Sequence, residues 1–315
     1  MLAALFTTLL FATSAVCGYR TSKQIGGVEA NFWRIAIATL LLMTWTLLFG
    51  SGFAGAPGWF MLSGFFGIGV GDSAYFQALP RLGSRRTVLM CQCLTAPAAA
   101  LIEWLWLGAG LSHPQIACIT VILIGVAVAL APEDHIKISA RDWQIGLVAC
   151  VISATANATG MVVIRKAFQV AQAGGFTPDA GTTGYQRMLG GILFPAVTLL
   201  VVKWRSARAH GPLLEAKTLE VSTEKWRRLW PWVLANALAG QTLGVTCMQW
   251  ALKTTSAGIV SAIIALTPIV LLPMTWIVEK ERITLRPVIG AFTAVAGVIV
   301  LTQPELLAKL AKIFP

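Results

Sequence analysis

One carboxylate stands inside an otherwise uncharged run. Asp72 follows Gly69-Val70-Gly71 and precedes Ser73, within an apolar stretch reaching from Trp59 to Leu79. If that stretch crosses a bilayer, a charge near its centre costs about 2.5–3.5 kcal/mol even on the lenient insertion scale, so it must face a cavity or a partner. A carboxyl group so placed suits proton coupling or the docking of a cationic group. The plainer alternative is a side chain that only hydrogen-bonds a neighbouring helix backbone. Tyr75, Asn157, Asn236 and Gln241 are further candidates for contact with a solute or a proton. Interhelical hydrogen bonding is the commoner use of such amides. Gly67, Gly69 and Gly71 are expected to allow close packing around Asp72 rather than to cradle phosphate.

A second set of residues suits gating or bracing. Arg34 and Arg187 each open an apolar run, where phosphate contact at the interface competes with a brace between two halves of the molecule. Pro97 and Pro268 each remove a helix hydrogen bond and can free carbonyls toward a central cavity. Glu103 lies about one turn from the end of its run, where its carboxylate can snorkel to the headgroups. Gly69-Val70-Gly71-Asp72 also fits the Gly-x-Gly-Asp pattern of aspartyl membrane enzymes, but that chemistry needs two carboxylates sharing a proton. The other aspartates, Asp134, Asp142 and Asp179, fall in connections. So do His113, His135 and His210, which argues against a serine-histidine hydrolase and a buried metal centre. The six cysteines sit in apolar runs as small packing residues. No P-loop and no cofactor motif is present.

The elements that position these residues follow from composition. Of 315 residues 57% are hydrophobic and 12% charged, whereas a soluble domain carries about 25% charge. Apolar runs of bilayer length recur at Leu2–Tyr19, Trp33–Gly50, Trp59–Leu79, Thr87–Leu107, Pro114–Ala131, Trp143–Ile164, Tyr185–Val202, Trp230–Leu252, Gly258–Val278 and Pro287–Leu301. They are continuously apolar and about twice the length of a barrel strand, so they are helices. The first could pass for a signal-peptide core, but it lacks a basic start and is taken as a transmembrane helix. Tryptophans near run ends fit an interfacial belt. The net charge of +11 is spread through short connections, which argues for topology rather than nucleic-acid binding.

The chain repeats itself weakly but in order. Asn31-Phe32-Trp33-Arg34 pairs with Gly184-Tyr185-Gln186-Arg187, Ala78-Leu79 with Ala251-Leu252, Pro97 with Pro268, and Gly125-Val126 with Gly297-Val298. Two copies of an odd number of helices must lie upside down to one another, with the substrate site near the midplane between them. The expected fold is therefore all-α and integral to the membrane: ten transmembrane helices as two inverted five-helix repeats, residues 1–132 and 143–303, with a tail over 304–315. Asp72 then has its counterpart near Val245, with Gln241 one turn earlier, charged on one side and amide-lined on the other. Basic residues concentrate in connections after odd-numbered helices, which places those connections in the cytoplasm and both termini outside.

In order and spacing the chain resembles the EamA-type branch of the drug/metabolite transporter superfamily. The resemblance rests on Arg34 and Arg187, the stretch Tyr75-Phe76-Gln77-Ala78-Leu79 to Gly83, Leu266-Thr267-Pro268, Glu281-Arg282-Ile283-Thr284, and Gly290 to Gly297-Val298. Where the family carries an acidic residue after the fourth helix, this chain has Gly108-Ala109-Gly110. The resemblance implies a secondary transporter that exports a metabolite, amino acid or drug-like solute, with no cofactor and no enzymatic activity. Its expected partners are that solute, the lipid bilayer, coupled protons and, in a homodimer, a second copy. The expected location is the bacterial cytoplasmic (inner) membrane. A scaffold without transport is the remaining alternative.

Overall fold

The computed structural model describes residues 2–107, 113–130, 138–210, 226–254, 263–278, 280, 285–303 and 305–306. Among them lie ten helices: α1 (Leu2–Ile25), α2 (Gly27–Phe49), α3 (57–82), α4 (Ser84–Leu107), α5 (His113–Leu130), α6 (Ala140–Ala173), α7 (Ala180–His210), α8 (226–254), α9 (Thr267–Val278) and α10 (Leu285–Thr302). No strand occurs among the described residues. Five helices, α1, α2, α6, α7 and α10, are long and apolar enough by themselves to cross a membrane. Large apolar side chains such as Leu40, Leu47, Val197, Leu200 and Trp276 point outward. In water such a surface would aggregate; around a transmembrane bundle it meets acyl chains, which is consistent with the backbone bonding within each helix.

Most helices overrun their apolar stretches. α2 begins at Gly27 rather than Trp33, α6 reaches from Ala140 to Ala173, and α7 runs from Ala180 to His210. Part of the connection placed at Lys203–Leu229 is thus helix, and residues 211–225 lie outside the described ones. Hydropathy marks only the lipid-facing length, while the hydrogen-bond ladder continues until a cap ends it. Ser139 caps α6 by accepting the Asp142 amide, which puts Asp142 in a first turn rather than in a connection. Asp179 caps α7 by accepting the Thr182 amide at 2.9 Å. Partial burial opposes its charge, but hydrogen bonds from Thr182, Trp45 and Gly181 outweigh it and hold the carboxyl below its ordinary value.

Two junctions are a single residue long. Gly26 joins α1 to α2 and Gly83 joins α3 to α4, at φ 83° and 84°. That left-handed conformation is open to glycine at little cost. Inside the bundle, α3 packs on α6 and α7, and α8 packs on α1 and α2. α4 meets α6, and α9 meets α1. α2 meets α7, and α5 meets α10. The α5–α10 contact is a backbone approach: a Cβ on Gly290 would strike the Ala129 amide and the Gly125 carbonyl, and one on Gly125 would strike Ala294. Without a hydrophobic drive between helices in lipid, such close packing is what holds them.

Overpacking this seam destabilises the bundle. Gly290→Val lowers the unfolding midpoint of the purified protein by the equivalent of about 1–3 kcal/mol, whereas Gly58→Ala, in open space, leaves it in place. An unshifted midpoint for the valine variant would mean that α5 and α10 do not touch there.

Candidate functional site

The third helix changes its winding where the glycines fall. Phe65–Gly71 is π-helical, and Asp72 restarts the α-helix. In α8 the segment Ala237–Gly244 does the same, and Val245 resumes the α-helix. Glycine weakens the α-helical preference locally, and π segments are frequent at functional sites. Asp72 follows the first segment; Gln241 lies within the second, and Asn236 just precedes it.

Asp72 is not isolated. Arg34 Nη2 donates to Asp72 Oδ2 at 2.7 Å and to Asn31 Oδ1 at 2.9 Å. Gln241 Nε2 donates to the same Asp72 oxygen at 2.6 Å. Asn31 in turn donates to Ser73 Oγ at 3.2 Å. The Arg34 guanidinium also lies 4.5 Å from the Phe76 ring centroid, a cation–π distance. The carboxylate therefore joins α2, α3 and α8. The Asp72 side chain is 16% exposed against 5% for Arg34, so the carboxylate is the more accessible partner of the pair. The amide of Gln241 on α8 meets the charge of Asp72 on α3 directly.

Both arginines lie deeper than expected. Arg34 and Arg187 are each the eighth residue of their helix, two turns beyond its start. Arg34 is 4% exposed, so it marks no interface. The polar residues ahead of each arginine, which look like a connection in sequence, are helix. Arg187 is held where α3 and α7 approach closely: a Cβ on Gly64 would strike the Arg187 backbone, and one on Gly190 the Met61 backbone. A Cβ on Gly67 would lie 3.6 Å from Arg187 Nη2 and 3.7 Å from Asn157 Oδ1, so both polar groups sit beside that glycine. Asn157 donates back to the Ser153 carbonyl at 3.0 Å. On the other side of the bundle, Ser14 of α1 donates to Asn236 Oδ1 at 2.7 Å.

Of the remaining candidates, Tyr75 lies within electrostatic reach of Arg34 and Asp72, and the others are placed elsewhere. Tyr75 packs at the junction of three apolar clusters formed by α1, α2, α4, α9 and their neighbours. Pro97 is buried inside α4, whereas Pro268 is the second residue of α9, immediately after a turn at Ala265-Leu266. Proline is tolerated at a helix start, so the two are not equivalent kinks. The Glu103 side chain, Glu281 and Gly108-Ala109-Gly110 lie outside the described residues. At the end of the bundle carrying Gly26, a cleft of about 470 Å³ is lined by Lys23, Glu29, Arg81, Asp142 and Lys203. Ion pairs Lys203–Glu29 at 3.3 Å and Arg81–Asp142 at 3.7 Å cross it.

Sequence reasoning missed Asn31, Ser14 and Ser73. Asn31 stands three residues before Arg34, a spacing that shares a helix face; Ser14 gives no signal before the fold brings α1 to α8. Among the described residues, Asp72 hydrogen-bonds only Arg34 and Gln241. That is a positioned ion pair, not the carboxylate dyad of an aspartyl enzyme.

Removing one partner of a buried pair strands the other charge, at about 3–5 kcal/mol. Asp72→Asn and Arg34→Gln should each lower thermal stability in detergent, and the double variant should lose less than the two together. Losses that add to within about 0.5 kcal/mol would mean that the pair does not form.

The geometry has relatives. A solved structure titled "Crystal structure of protein" superposes with a TM-score of 0.61 at 15% identity, covering 98% of each chain, which establishes a shared fold. None of the curated proteins matches. A family model matches the chain twice, over residues 1–131 and again over 144–303. An all-helical bundle with an apolar exterior and a buried polar centre is what a membrane transporter requires, and the chain belongs to the EamA-like transporter family of the drug/metabolite transporter superfamily.

Proposed function

We propose that this protein is a secondary transporter that moves a small metabolite, amino acid or drug-like solute by alternating access between two inverted five-helix repeats. The repeats would span 1–132 and 143–303, and the membrane would be the bacterial cytoplasmic one. The observation that carries this reading is the Arg34–Asp72–Gln241 contact at the centre of the bundle, which links α2 and α3 of one repeat to α8 of the other. Exchanging α1 with α6, α2 with α7, α3 with α8, α4 with α9 and α5 with α10 supports the symmetry. It carries the contact α3·α6 onto α8·α1, α3·α7 onto α8·α2 and α4·α6 onto α9·α1, and returns α2·α7 and α5·α10 to themselves. The paired π segments and the doubled family match obey the same exchange.

In this reading Asp72 works as an exchangeable partner. Its bonds to Arg34 and Gln241 are charge-assisted and so roughly twice as strong as neutral ones. They can be traded for bonds to a solute or a proton without exposing a bare charge to lipid. Rocking of one repeat on the other would break the Gln241 bond on the way between inward- and outward-facing forms, as in other inverted-repeat carriers.

Metabolite profiling of cells overproducing the protein tests this. The wild type should enrich a small set of solutes in the medium, and Asp72→Asn should cut that enrichment about tenfold or more at equal abundance in the membrane. Identical profiles would remove Asp72 from the mechanism. Orientation is tested separately: a cysteine placed at Lys217 should react with an impermeant reagent from the cytoplasmic face alone, and labelling from outside would invert the topology.

A further inference from the structure

The central cluster holds two guanidiniums and, among the described residues, one carboxylate. Arg34 pairs with Asp72 and Asn31 through its Nη2, while its Nε, like that of Arg187, is buried without a partner. Arg187 is within electrostatic reach of Asp72. Yet among the described residues it makes no ion pair and no hydrogen bond, and its Nε is buried without a partner. The backbone approach of α3 to α7 fixes where its side chain leaves the helix. An arginine inside a membrane-spanning bundle is expensive unless a counter-charge reaches it. Among the described residues the cluster thus carries one positive charge more than its carboxylate neutralises.

Resting on the transport reading above, we propose that the solute is a small organic monocarboxylate whose carboxylate docks on Arg187 beside Gly67 and Asn157. A planar guanidinium fork matches a carboxylate in two parallel hydrogen bonds, which neither a spherical ion nor a neutral amide can form. One carboxylate neutralises the cluster; a phosphate dianion would leave it negative. A Cβ at Gly67 would already stand in van der Waals contact with Arg187 Nη2, Asn157 Oδ1 and the Gly160 backbone, so a larger residue there would crowd both polar groups. With Asp72 engaged by Arg34 and Gln241, the charge left to recruit a solute in this arrangement is that of Arg187. The preference is therefore anionic, the reverse of what an unpaired Asp72 implies.

The test uses the purified full-length protein with straight-chain monocarboxylates from acetate to hexanoate. The comparison arms are the amides, amines and phosphate monoesters of the same chains, and chloride. At least one carboxylate should stabilise the protein and bind with measurable affinity. Arg187→Gln should weaken that binding about tenfold or more, and Arg187→Lys should restore part of it. Circular dichroism identifies any variant that has lost its fold, and Gly67→Val, which leaves every charge in place, then provides an independent block of the same approach. The proposal is overturned if no carboxylate binds, or if amides, amines, phosphate monoesters or chloride bind as well. Unchanged carboxylate affinity in both Arg187→Gln and Gly67→Val overturns it too. Flux in proteoliposomes separates the two readings. Carboxylate binding without flux would sink transport and leave the site standing; flux of amines indifferent to Arg187 would do the opposite.

Discussion

Lipid offers a polar group nothing to bond to. Every carbonyl, amide and charge within the bilayer must be satisfied by the protein itself, and the architecture here follows from that demand. Backbone groups are satisfied within helices. The charges are harder, and Asp72 meets the demand by gathering partners from two other helices, Arg34 on α2 and Gln241 on α8. Because the contact spans elements far apart in sequence, it is also a clamp on the bundle.

Close approach makes such a centre buildable. Helices that carry long polar side chains inward need somewhere to put them, and α3 provides it with glycines and a π-helical turn between Phe65 and Gly71. Gly64 brings the α7 backbone into contact, while Gly67 and Gly71 leave room for Arg187 and Asn157. α8 repeats the device between Ala237 and Gly244 with its own glycines, Gly240 and Gly244. The closest backbone interlock lies elsewhere, in the seam of α5 and α10 and its small residues.

The electrostatic sign of the centre could not be seen from Asp72 alone. An acidic residue in an apolar helix suggests a site for cations. Once Arg34 and Arg187 are drawn inward, the balance reverses, and two guanidiniums stand against one carboxylate among the described residues. The reversal depends on where two helices begin. With α2 and α7 starting two turns ahead of each arginine, residues that would have floated at the headgroups stand beside the carboxylate instead.

Much was legible in the chain without coordinates. Membrane insertion and helical class follow from the length and continuity of the apolar runs. Hydrocarbon admits only helices and closed barrels, and these runs are too long for barrel strands. Asp72 stands out as the acid near the middle of such a run. The family is readable in the ordered echoes between halves, from Arg34 and Arg187 to Gly125 and Gly297. Helix ends were not legible, since hydropathy measures contact with lipid and caps such as Ser139 and Asp179 act beyond it. Nor were the partners of Asp72: Gln241 lies 169 positions away, and no local pattern records a bond that forms only when α3 and α8 pack side by side. Local physics acts on each helix singly and so settles what kind of element forms. Which charges neutralise one another is a matter of distance between elements, and those distances exist only in the assembled bundle.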